Sequence, residues 1–304
     1  MAPKSNSGPI TWDPKVSAIV PCYNAAEFIQ ATLDCLVAQT WPNLEILIGD
    51  DFSTDATAEI VTSFAAKHRN VQVIARQKNL GWVDNTNDLV AHAAGELAFF
   101  AFHDDVVATN YVEKLVAALA DNPKAVIAFS DVEQFELDGQ STLMQFTRMS
   151  RAHTALSRGW VMCRLHEYWW ACVHGLFRVG TFHQTGGLQK HAMGEYAADW
   201  TWLLHMALLG DYVRVPETLC RKYFKANSLS KVWEHSTQQR EAVQRGVIAE
   251  IWSSRSPIWV KFPLAFYLET YKERRYLARE YRRFKNRKLR RQNRLRPPSQ
   301  EIGN

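Results

Sequence analysis

Short apolar runs alternate with helix-spaced segments through the first 131 residues, and few folds accept that pattern. VSAIV (16–20), LEILIGD (44–50), NVQVIAR (70–76), LAFFAFH (97–103) and AVIAFSD (125–131) read as strands. Between them, Ile29, Leu33, Leu36 and Val37 fall at helical spacing, as do Val112, Leu115, Val116 and Leu119. Residues 54–68 and 84–94 read as helices too. Continuously apolar strands, each followed by a helix, predict an α/β fold with a mainly parallel sheet and helices on both faces. Residues 132–195 are rich in Trp, His and Gly and only weakly periodic. Helical spacing returns at 199–210, where Gly210 can end the helix, and at 234–252. Pro257 and Pro263 are expected to break the segment beyond 252.

Charge is spread unevenly. The chain of 304 residues carries +5, but residues 271–296 hold thirteen Lys or Arg and two Glu, so +11, leaving 5 − 11 = −6 elsewhere. A basic tail on an acidic globule points to a polyanionic partner. No zinc spacing, RNP-type aromatic motif or recognition helix accompanies the charge, so nucleic acid is not expected. Trp259, Phe262, Phe266 and Tyr267 precede the run. Aromatics beside snorkelling Lys and Arg suit a helix lying on an anionic membrane surface. A solvated basic helix packed on the globule, or on a second chain, is the other reading. The five cysteines are scattered, odd in number and without a CxxC pair, which points to a reducing compartment. The N-terminal residues show no signal-peptide core, and no uncharged apolar run reaches the roughly eighteen residues of a membrane span. A cytoplasmic protein, peripheral on the cytosolic face of a membrane, is expected.

In an open parallel sheet, ligands bind outside the carboxyl ends of the strands. The first strand ends in Pro21-Cys22-Tyr23-Asn24, the second in Asp50-Asp51 and the third leads to Asn79-Leu80-Gly81. The fourth, FFAFHDDVV, ends in His103-Asp104-Asp105. Any one of these acids can simply cap the following helix. Together on one edge they suit a hard divalent cation shared with a substrate's phosphates. No glycine-rich phosphate loop is present, which leaves little support for a dinucleotide or P-loop reading.

VSAIVPCYNAAEFIQATLDCLVAQTWPNLEILIGDDFSTDAT and NLGWVDNTNDLVAHAAGELAFFAFHDDV resemble the opening of family 2 glycosyltransferases. That family shows P-x-Y-N after a strand, a Q-T-x-P-x-x-E turn, D-D-G-S-x-D, then N-x-G and a closing pair of acids. The likeness runs through residues 14–130 and is looser at 174–230. It implies a GT-A-like (Rossmann-like) fold and a nucleotide diphosphate sugar donor, with a UDP-sugar favoured. It also implies Mn²⁺ or Mg²⁺, and inverting transfer to a hydroxyl of a glycan or lipid-linked acceptor. By the resemblance Tyr23 stacks on the base, and Asp50 or Asp51 contacts base or ribose, with Pro21, Asn24, Asn79 and Gly81 around them. Asp104 would touch the ribose and Asp105 would ligate the metal. His103 is either a further ligand or an orienting group.

The sequence departs from the pattern at Phe102, where an acid is usual, at Thr86, where Arg is usual, and at Phe52, where Gly is usual. A Phe at that turn argues against the usual left-handed backbone there. AADWTWLLHMALLGDYVRVPETL places Asp199 on the family's catalytic-base position, with Ala198 in place of a Glu. Glu195 is the reserve candidate. Asp199 is equally well placed as a first-turn acid on its helix. Trp170, His174 and Arg178 are candidates for the diphosphate or acceptor side, and Trp169, Trp200 and Trp202 for a sugar-facing or core role. RKYFKANSLS resembles an R-x-H-x-x-S-x-S loop with Lys225 at the His. The bland reading of Arg221, Lys222 and Lys225 is a solvated basic loop. The expected layout is a flexible 1–13 and a transferase domain at 14–232 (donor half 14–131, acceptor half 132–232). A basic helical extension follows at 233–304. A nucleotidylyltransferase and a catalytically dead nucleotide- or glycan-binding module are the rival readings. The first lacks its phosphate loop; the second draws on the missing acids at 102 and 198.

Overall fold

The computed structural model describes residues 12–164, 168–224 and 236–270. The first half alternates as the sequence implies: β1 (Val16–Cys22), α1 (Ile29–Val37), β2 (Leu44–Asp50), α2 (Thr57–Ala65), β3 (Val71–Ala75), α3 (Trp82–His92) and β4 (Leu97–Phe100). Then come β5 (Asp105–Val107), α4 (Tyr111–Asp121), β6 (Ala125–Phe135), β7 (Ser141–Met144) and α5 (Ala155–Cys163). The rest is β8 (Leu176–Arg178), α6 (Val179–Gln184), α7 (Ala198–Leu209), β9 (Asp211–Tyr223), α8 (Thr237–Ser253) and α9 (Ile258–Glu269).

The strands form one nine-stranded sheet in the order β3-β2-β1-β4-β8-β6-β9-β5, with β7 on β6. β3, β2, β1 and β4 are parallel. Beyond β4 the sheet is mixed: β8 is antiparallel to both neighbours, while β6 and β9 run parallel. Strands β5, β7 and β8 have three or four residues each, too short for a periodic signal.

Alternation along each strand divides the core. Val16, Ala18 and Val20 of β1 pack with Ile29, Leu33, Val61 and Leu115 on the α1, α2 and α4 face. Ile19 of β1 and Leu47 of β2 point the other way, into the face built by α3, α5, α7, α8 and α9. On that second face α7 is buried nearly all round, from Trp200 to Leu208. Helices α8 and α9 join the same core through Val243, Val247, Ile251, Val260 and Leu264. Gly159 lets α5 and α9 touch, since a Cβ there would lie 2.5 Å from Leu264 Cδ1.

Pro263 does not break the helix as expected; it lies inside α9. An interior proline costs about 3 kcal/mol. Val260, Leu264 and Leu268 are each at most 4% exposed. Burying each of them returns roughly 1.5–3 kcal/mol, so packing outweighs the proline. Among the described residues no helix is long and apolar enough to cross a membrane.

Candidate active site

The carboxyl ends of β1, β2 and β4 lie side by side, because Cys22 pairs with Asp50 and Ile19 with Phe100. Three loops leave this edge and tie to one another. Asn24 N–H donates to Ser53 Oγ (2.9 Å), and Thr54 N–H donates to Asn24 Oδ1 (2.8 Å). Asn24 thus braces two loops. Asp51 accepts from Leu80 N–H (2.7 Å) and Gly81 N–H (2.9 Å), so its carboxylate clamps the loop before α3. Asn79 reaches the Asp51 carbonyl at 3.2 Å. Gly81 has φ +86°, and a Cβ there would meet Glu195 Oε1 at 2.3 Å. Asp50 differs from its neighbour: it is buried, and its Oδ1 has no hydrogen-bond partner. Pro21 is buried at the end of β1, and its carbonyl faces His103 Nδ1 at 3.4 Å.

Tyr23 (46% exposed) and Phe52 (51%) leave two aromatic rings open on this edge. Phe52 adopts φ +64°, contrary to the sequence expectation. The turn is built left-handed with a bulky residue in it, a costly conformation. Asn24, Tyr168 and Ala197 are the other non-glycine residues with positive φ among the described residues. Asn24 is itself a candidate site residue, and Tyr168 and Ala197 lie within two residues of Trp170 and Asp199; such backbone strain clusters at functional sites.

The acid pair sits in the turn from β4 to β5, closed by Asp105 N–H donating to the Phe102 carbonyl (3.0 Å). Asp104 is half-buried, while Asp105 is 3% exposed. Asp105 Oδ2 lies 2.9 Å from His174 Nδ1, and Oδ1 lies 3.8 Å from Lys222 Nζ. Neither oxygen has a well-directed hydrogen bond. Burial pushes the Asp105 carboxyl up, but the Lys222 ammonium and His174 outweigh it and hold the group below the usual range. Antiparallel pairing of β5 with β9 brings Lys222 opposite Asp105. Burial disfavours the Lys222 charge, yet Asp105, Asp104, Cys220 and Asp199 together keep its pKa raised. Its ammonium also lies 5.9 Å from the centre of the Phe102 ring. Lys222 is therefore not part of a solvated basic loop; the strand pairing that places it is long-range and has no local signal.

Asp199 stands in the first turn of α7, after Ala197 at φ +54°. Its Oδ1 accepts from Trp200 N–H (3.0 Å). Burial pushes its carboxyl above the usual range, and the Trp200 donor, His174 and Lys222 only partly offset this. His174 and Lys222 lie against Asp105, and their charges act on Asp199 as well. His174 is buried, its carbonyl accepts the Tyr111 hydroxyl, and Trp170 stands edge-on to its ring at 5.7 Å.

Other expected residues have other partners. Glu195 accepts from Trp82 N–H (3.2 Å) and Val83 N–H (3.3 Å) and pairs with Lys190 at 3.1 Å. These bonds cap the start of α3. Arg178 pairs in register with Leu97, at the start of β4, and donates to the Ala125 carbonyl (2.9 Å). It is at the opposite end of the sheet from the acids. Trp200 and Trp202 belong to the core. Lys225 lies outside the described residues.

The donor set fits a hard divalent ion at the Asp104–Asp105 pair. Two adjacent carboxylates are present, one half-exposed and one whose oxygens lack well-directed hydrogen bonds. Asp105, His174 and Cys220 also bring ligand atoms within 4.8 Å of one another. There, however, the Lys222 ammonium already supplies the positive charge.

Residues 17–177 match the model for glycosyl transferase family 2, more than half of the chain, and the chain belongs to that family. An uncharacterized glycosyltransferase of Haemophilus influenzae is 23% identical over 242 residues, covering 76% of this chain and 72% of that protein. A poly(ribitol-phosphate) beta-glucosyltransferase of Bacillus spizizenii is 38% identical over 96 residues, 31% of this chain and 15% of that one. Among solved structures, S. aureus TarS 1-349 in complex with UDP-GlcNAc superposes with TM-score 0.66 at 20% identity, over 83% of this chain and 70% of that one. The mannosyltransferase PcManGT of Pyrobaculum calidifontis, in complex with GDP-Man and Mn²⁺, gives 0.54 at 20% identity, over 85% and 70%. The fold is GT-A-like, with helices on both faces.

Proposed function

We propose that the protein transfers a single sugar, with inversion, from a nucleotide diphosphate sugar to a hydroxyl of a surface glycan or its lipid-linked precursor. The observation that carries this is Asp199. It stands in the first turn of α7, burial pushes its carboxyl above the usual range, and the charges that oppose this shift, His174 and Lys222, are the ones that lie against Asp105 at the end of β4. A base of that kind takes the proton from an attacking hydroxyl. Tyr23 and Phe52 offer ring faces to the base, and the unpartnered Asp50 Oδ1 offers an acceptor to its N–H. Asp104 is the accessible ligand for Mn²⁺ or Mg²⁺ on the diphosphate, with Asp105 set behind it. A bound divalent ion would neutralise charge on the departing diphosphate. Lys222 adds a fixed positive charge on the same side, where developing negative charge is best met by groups already in place. UDP is favoured as the nucleotide, since the S. aureus neighbours were solved with UDP and UDP-GlcNAc.

A thermal-shift panel tests the reading with UDP, GDP, CDP and dTDP, each with Mn²⁺, Mg²⁺ or EDTA. A ligand at a hundred times its Kd adds about 2.7 kcal/mol of stability. A metal-dependent shift with UDP, lost in Asp104→Asn, is expected. No shift with any nucleotide in folded protein would move the assignment to a binding module without catalysis.

A further inference from the structure

Five of the twelve large apolar residues exposed on the described surface lie within fifteen residues of one another: Trp252, Ile258, Trp259, Phe262 and Phe266. The last four belong to α9 and are between 55% and 63% exposed. At about 100° per residue, positions 258, 262, 266 and 259 fall inside an arc of about 100°. Val260, Leu264, Ala265 and Leu268 occupy the opposite arc and are buried in the core. Phe262 and Phe266 stack at 6.1 Å between ring centres, so these two rings act as one apolar surface on the outer face. Lys261 Nζ donates to the Trp252 carbonyl (2.9 Å), which holds the end of α8, with Trp252, beside α9. Glu269, the last residue of α9, is the one acid within that helix. Scattered surface apolars are ordinary; a patch this concentrated marks an interaction site.

We propose that this face of α9 seats the protein on an anionic lipid surface. Charge decides the occupant. The chain that follows Thr270 directly carries +11 over residues 271–296, while the remainder carries −6. An anionic surface attracts the end that bears the aromatic face and repels the rest of the molecule. A second copy seated on the same face would instead bring +11 against +11. Trp and Phe on one side of a helix, with Lys and Arg next to it, match the chemistry of the headgroup boundary. Tyr267, which the sequence grouped with these aromatics, packs edge-on against Trp160 at 4.7 Å and takes no part.

Co-sedimentation of the full chain tests this, with vesicles of phosphatidylcholine alone and of phosphatidylcholine mixed with phosphatidylglycerol. The comparison is wild type against the triple variant Trp259→Ser, Phe262→Ser, Phe266→Ser. All three side chains are exposed, so the melting temperature should stay at or above wild type. Wild type should bind the anionic vesicles at least about tenfold better than the neutral ones, and the variant should lose at least about tenfold of that binding, since affinity scales with apolar area buried. If the triple variant fails to fold, single variants at 259 and 262 should each show part of the loss. Three results would overturn the proposal. One is no binding to anionic vesicles. Another is binding unchanged by the substitutions, which leaves the basic segment acting alone on any polyanion, duplex DNA included. The last is a wild-type dimer that the variant turns monomeric without any vesicle binding.

Discussion

Phe52 holds an expensive backbone conformation at the nucleotide edge, and replacing it separates strain from ring. Left-handed backbone costs a non-glycine residue about 1–2 kcal/mol. At an ordinary position alanine is the more stabilising choice over glycine, by about 0.4–1 kcal/mol through the unfolded chain. At φ +64° the first effect exceeds the second. Phe52→Gly should therefore be more stable than Phe52→Ala by about 1 kcal/mol, reversing the usual order. Both variants lack the ring, so both should lose the same nucleotide affinity. Aromatic stacking on a base is worth about 1–3 kcal/mol, or roughly 5- to 150-fold in Kd. Urea denaturation reads the first quantity and calorimetric titration with UDP the second. An alanine variant as stable as the glycine variant would refute the strain argument. An unchanged Kd in both would remove Phe52 from the base site.

The same geometry sets three more outcomes. Asp199 has a folded-state pKa above its unfolded value, so its charge costs stability as pH rises through that raised pKa, and the cost is absent below the unfolded value. Asp199→Asn should melt higher than wild type at neutral pH, and thermal melts should show that advantage vanishing at strongly acidic pH. Lys222→Met removes the cation beside a buried carboxylate, and breaking such a pair costs about 3–5 kcal/mol. The exposure of Lys222 puts this case at the low end, and adding Asp105→Asn should recover part of the loss in a double-mutant cycle. Gly81→Ala places a methyl against Glu195 at a positive φ, and should lower both the melting temperature and nucleotide affinity.

The parallel half of the sheet is legible in the sequence because buried strands and amphipathic helices each leave a local period, and β1 to α4 show it. The acids at the strand ends are legible as a group because topology sends every strand's carboxyl end to one edge. Their division of labour is not. Asp50 and Asp51 are neighbours in sequence, yet one clamps the loop before α3 and the other keeps an unpartnered oxygen. Glu195 reads as a spare base because nothing local shows that it caps α3, 113 residues earlier in the chain. Arg178 reads as close to the acids because His174 is, but a three-residue antiparallel strand carries it to the other end of the sheet. Lys222 comes to Asp105 through strand pairing 117 residues apart, which composition and spacing do not encode. Pro263 misleads for a different reason: burial of α9 outweighs a local penalty.

Asp199 acting as the base, in a chain that binds a nucleotide sugar, is the central claim. Release of nucleoside diphosphate from UDP-GlcNAc and UDP-glucose, with Mn²⁺ present, should be measured in wild type and Asp199→Asn, alongside the Kd for UDP in each. Wild type should turn over, and the variant should keep the Kd within about twofold while losing about 10²–10⁴ in rate. A variant that turns over at the wild-type rate with the same Kd would contradict the assignment.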